Sequence, residues 1–180
     1  MCNVELLSPG APAAGELGRS AKRGLMPQNC TILCPTDDPR QVVKFVCELA
    51  QAGATIDILG DDSNWSKIEI RTSDSTLTLS RQVRLEPGDA FSKMVLGMHN
   101  YFWQVNTSAV AIKQEVLDRI EHVALAIGVV AEPEFNESDG HYDYLFGIAK
   151  TLEAVIWTGS GVINAEGKMI LDGDGISELR

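Results

Sequence analysis

The chain has 180 residues, 44% apolar and 22% charged, with a formal net charge of −10. A chain of this size can bury enough surface to fold as one domain without disulfides or a structural metal. It contains no apolar run long enough to span a membrane, and its acidic balance leaves no basic face for nucleic acid or anionic lipid.

Residues 1–28 are rich in Ser, Pro, Gly and Ala, with a small basic cluster at Arg19, Lys22 and Arg23, and read as a mobile segment. Met1–Ala13 has neither a basic n-region nor a sufficient apolar h-region, so no secretory signal is expected and the chain reads as cytoplasmic. A single domain is expected over residues 29–180. Thr31–Cys34 is a short apolar strand that stops at Pro35. Asp38 can cap a helix with Pro39 at its first position and Gln41 at the capping-box position. Val42, Val46 and Leu49 mark its buried face, and Gly53 ends it in a left-handed turn. Thr55–Leu59 is the next strand, and the two runs Lys67–Arg71 and Thr76–Ser80 alternate at period two as a hairpin.

Pro87-Gly88-Asp89 opens a helix whose Phe91, Met94, Val95, Met98, Phe102 and Val105 recur at helical spacing. Ser108 is expected to cap a second helix carrying Ile112, Val116 and Ile120. Val123–Val130 is ambiguous: its apolar residues continue the helical spacing, yet they also suit a strand buried on both faces. The β-branched density and Gly128 favour the strand. Ser138 or Asp139 then caps a helix bearing Tyr142, Leu145, Ala149 and Leu152. Ala154–Trp157 is a strand, and residues 162–171 read as a hairpin turning at Asn164–Gly167.

In this order the layout occurs twice. Residues 30–80 and 122–171 each read as β-loop-α-β-β, joined by the helical pair across 88–121. The expected fold is α+β, with a mixed sheet built from the two units. The right-handed crossover rule places their helices on one face. If both units join the sheet in the same sense, their acidic loops reach a common edge.

Chemistry is concentrated near the second loop. Residues 131–180 hold ten carboxylates against three basic side chains, which is −7 of the total charge. Glu134, Asp139, His141 and Asp143 are the candidate ligands for a divalent cation, since oxygen donors with one imidazole suit Mg²⁺, Mn²⁺ or Zn²⁺. Acids near a helix N-terminus are also favoured by the macrodipole alone, and His141 by itself reads as a surface or capping histidine. Asp37, Asp38, Glu132 and Trp157 are the candidates for a ligand- or partner-docking edge. No HExxH, paired CxxC, GxSxG or EF-hand spacing is present. Gly159-Ser160-Gly161 lacks the third glycine of a dinucleotide loop, and a hairpin follows it. Cys30, Cys34 and Cys47 read as buried free thiols of a cytosolic protein.

Two readings of function follow. The first is a non-catalytic domain, needing no cofactor, that binds a protein partner or a second copy of itself. The alternative is a metal-assisted hydrolase or metal-binding protein using the acidic loop 131–143.

Overall fold

A computed structural model describes residues 27–50, 53–135 and 138–173. The expected mobile segment, apart from its last two residues, and the chain beyond residue 173 lie outside them. The protein is α+β: among the described residues, eight strands form one sheet and four helices pack on it. The strands are β1 (Asn29–Cys34), β2 (Thr55–Leu59), β3 (Lys67–Arg71), β4 (Thr76–Val83), β5 (Leu125–Glu132), β6 (Val155–Trp157), β7 (Gly161–Ile163) and β8 (Met169–Asp172). The helices are α1 (Pro39–Leu49), α2 (Ala90–Gln104), α3 (Val110–Glu121) and α4 (His141–Thr151).

The sheet order is β2-β3-β4-β5-β1-β6-β7-β8. Every neighbouring pair is antiparallel, where a mixed sheet was expected. The crossover β5-α4-β6 explains the difference. Strands β5 and β6 run parallel to one another, but β1 is inserted between them and pairs antiparallel with both. In the same way α1 carries the chain from β1 to the far edge strand β2, which leaves room for β5 beside β1.

Strand alternation sorts the core into two layers. Ile32, Ile68, Leu79, Ile127 and Ile156 point to one face and pack with Val42 and Val46 of α1 and Leu145 and Ile148 of α4. Both crossover helices therefore share a face, as the handedness rule implies. Leu33, Ala126, Val155 and Val162 point to the other face and pack with Phe91, Phe102, Val116 and Ile120 of α2 and α3. This second layer draws its sheet residues from β1 and β5–β8. Over β3 and β4 the same face carries Lys67, Glu69, Thr76, Thr78 and Ser80, all half-buried.

The helix ends follow local chemistry. The Asp38 carboxylate caps α1 by accepting from the Gln41 backbone N–H, and the Gln41 side-chain amide returns to the same carboxylate at 2.7 Å. The Asp89 carboxylate accepts from the backbone N–H groups of Leu85, Glu86 and Ser92, tying the approach loop to the first turn of α2. Helix α3 stops at Glu121, and Leu125–Glu132 is a strand, so the ambiguous run resolves as extended chain. Helix α4 begins after Gly140, whose φ of 69° makes the turn, instead of on a Ser138 or Asp139 cap. Cys47, expected in the core, is half-buried.

Candidate functional site

The register of the central pair decides how the acidic loops lie. Asn29 is opposite Val130, and Cys34 is opposite Leu125. The chain leaves β1 at the end of the sheet where it enters β5. Asp37 and Asp38 thus sit at one end, and Glu132 and its loop at the other, about 24 Å away along β5. The shared rim expected from the duplicated layout does not form, because the two units run in opposite senses.

At the Glu132 end the structure builds a buried polar cluster. Glu132 itself is exposed opposite Thr76, and Glu134 and Asp143 are exposed as well. His141 is not a surface residue: only 1% of it is accessible. Its ring stands edge-on to Phe135, and its Nε2 lies 2.9 Å from the Ser75 hydroxyl. That hydroxyl donates to the Asp139 carboxylate at 2.5 Å, and Thr72 Oγ1 lies 3.0 Å away. Burial lowers the His141 pKa, opposed by the Asp139 charge and by donation to the Glu134 backbone carbonyl. The cluster fastens the β3–β4 turn to the β5–α4 loop. Ser, His and Asp meet here, with the Asp139 carboxylate accepting from Ser75 and its charge acting on the His141 ring. Among the described residues, no three His, Cys, Asp or Glu side chains are grouped so as to hold a metal ion.

At the other end lies an open groove. Two hollows of about 320 Å³ and 400 Å³ adjoin there, and His122 lines both. The first is walled by Leu33, Pro35 and Val155, with Glu115, Asp118, Arg119 and Glu153 around it. The second runs past Val83 and Val123, with Asp37, Arg84 and Glu121 around it. Five carboxylates thus face two arginines across apolar walls. The Asp37 charge is offset by the Arg81 guanidinium at 3.0 Å, and Glu115 pairs with Arg119 at 3.2 Å. Glu153 occupies the position after the α4 cap with φ of 51°, the only positive φ outside glycine among the described residues. Its N–H donates to the Lys150 carbonyl, while the Ala154 N–H reaches back to Ala149, which completes a Schellman turn and presents the Glu153 side chain to the hollow.

Of the docking candidates, Asp37 lines the groove, Asp38 serves the α1 cap, and Glu132 is remote. Trp157 lies beside Thr31 on the sheet and packs against the α2–α3 layer. Its indole Nε1 is buried and has no hydrogen-bond partner among the described residues. The sequence reading missed Ser75, whose Thr-Ser-Asp-Ser context is that of any turn. It also missed Glu115, Asp118 and His122, although their spacing of three and four puts them on one helical stripe.

No family model matches this chain, and no curated protein or solved structure matches it.

Proposed function

We propose that the protein is a binding domain without a reaction of its own, and that the groove centred on His122 is its docking edge. The occupant is a basic ligand, such as a Lys- or Arg-bearing segment of a protein partner. One observation carries this reading: the two adjoining hollows combine apolar walls with five carboxylates, against Arg84, Arg119 and the Arg81 that pairs with Asp37. A concave surface of low dielectric with one dominant sign of charge focuses its field and raises the local concentration of opposite charge. Apolar walls accept the methylene stems of Lys and Arg while the carboxylates meet the cationic heads. Cys30, Cys34 and Cys47 are not joined in disulfides, which fits a reducing, cytosolic setting.

Titration calorimetry with an oligolysine peptide tests the reading. Binding should weaken with salt, and the double change Glu115→Lys and Glu153→Lys should reduce affinity by roughly tenfold or more. Equal affinity in wild type and double variant, or equal uptake of an oligoglutamate peptide, would remove the groove as the docking edge.

A further inference from the structure

The outer face of α2 carries an apolar stripe that the groove does not involve. Phe91, Val95, Met98 and Phe102 turn inward. On the outward side stand Leu96, 59% exposed, and Trp103, 62% exposed, with His99 between them. Their spacing of three and four places them in one line along the helix. Val110, 68% exposed at the start of α3, also faces solvent. Scattered apolar residues on a surface need no explanation, but an aligned set does.

Trp103 is also held in place. The His99 ring stacks on it at 6.3 Å with planes 13° apart. The Lys113 ammonium lies 5.6 Å from its centroid and donates to the backbone carbonyls of Trp103 and Val105 at the end of α2. An exposed indole already fixed in orientation loses little entropy on docking, which is the property of an interface anchor.

Charge selects the occupant. Residues 90–114 contain no Asp or Glu, in a chain with 25 acidic residues. Two molecules that each carry −10 repel wherever their carboxylates meet. The outer face of α2 is where they can approach without that penalty. The Lys113 charge is engaged by the α2 carbonyls, and the exposed Lys93 lies nearly two turns from His99, at the ends of a contact centred there, so like-charge repulsion across it is small.

We infer that this face is a homodimer interface, formed by α2 against α2 of a second copy about a two-fold axis. In an antiparallel arrangement Leu96 of each copy packs on Trp103 of the other, and His99 lies near the axis. A two-fold contact of this kind closes, leaving no sticky surface for further growth.

Sedimentation velocity and light scattering over a range from low to high micromolar chain test this directly. The wild-type protein should reach twice the chain mass, with association strengthened by added salt as the net repulsion is screened. Leu96→Glu and Trp103→Glu should each yield single chains with an unchanged circular dichroism spectrum, since both side chains are exposed. Leu59→Lys, equally exposed but on the edge strand β2, should leave the dimer intact. Single chains at every wild-type concentration would overturn the inference. So would a dimer that survives Trp103→Glu, or one that Leu59→Lys disrupts. Association weakened by salt would likewise reject an apolar contact between like-charged copies.

Discussion

The Ser75 hydroxyl lies 2.9 Å from Nε2 of His141, and both residues are buried. This contact gives the protein a titratable group inside its fold. Burial depresses the folded-state pKa of His141 below its unfolded value near 6.5. As pH falls through that value the unfolded chain takes up the proton first. Stability contributed by the neutral ring is present above it and declines on acidification. Thermal melts between neutral and mildly acidic pH should show this loss, and His141→Gln should flatten it. Ser75→Ala should cost about 1–3 kcal/mol at neutral pH by removing the hydroxyl's hydrogen bonds to His141 and Asp139. An unchanged pH slope in His141→Gln would show that the slope arises elsewhere.

Helices α1 and α4 meet through a glycine. A methyl group added at Gly147 would land on the ring of Phe45. Gly147→Ala should therefore destabilise the protein by about 1–3 kcal/mol despite the better helix propensity of alanine. Combining it with Phe45→Leu should recover part of the loss in urea denaturation, and strict additivity would argue against the contact.

Glu153 links stability to the groove. A non-glycine residue in the left-handed region is strained, and Gly relieves that strain at some entropic cost. Glu153→Gly should raise stability by about 0.5–1 kcal/mol. The same change removes a groove carboxylate and should weaken oligolysine binding. Opposite signs in the melt and in the calorimeter would separate the residue's docking role from any role in folding.

Burial pushes the thiols of Cys30 and Cys34 up to about 12, with Asp37 adding to the effect at Cys34. Neither should form a thiolate in the native protein. In a Cys2→Ser background a thiol reagent should reach Cys47 under native conditions, and the other two only in denaturant. Rapid labelling of all three without denaturant would contradict the packing around β1.

Most elements were readable because their signals are local. Asp38-Pro39 announces α1, alternation announces β3 and β4, and Gly128 within a β-branched run separates β5 from α3. Strand direction was not readable. Periodicity says that Ile32 and Ile127 are buried, but not that β1 and β5 run antiparallel, and that one fact moves the two acidic loops to opposite ends. His141 was misread for a related reason. Its neighbours in sequence are polar, yet the Gly140 turn and Phe135 draw its ring inward to meet Ser75, a residue far along the chain. The groove escaped notice because its carboxylates come from α3, from the turn after α4 and from the loop after β1, which converge only in the folded sheet.

The central position of β1 and β5 bears on how the chain is made. Their paired residues lie roughly a hundred positions apart, and contacts of such separation slow the search for the native state. Until residues 125–132 leave the ribosome, β1 and β4 each lack the neighbour that lies between them in the finished sheet. The nascent first half leaves both edges of β1 and one edge of β4 open, and unpaired strand edges favour wrong pairings before folding is complete.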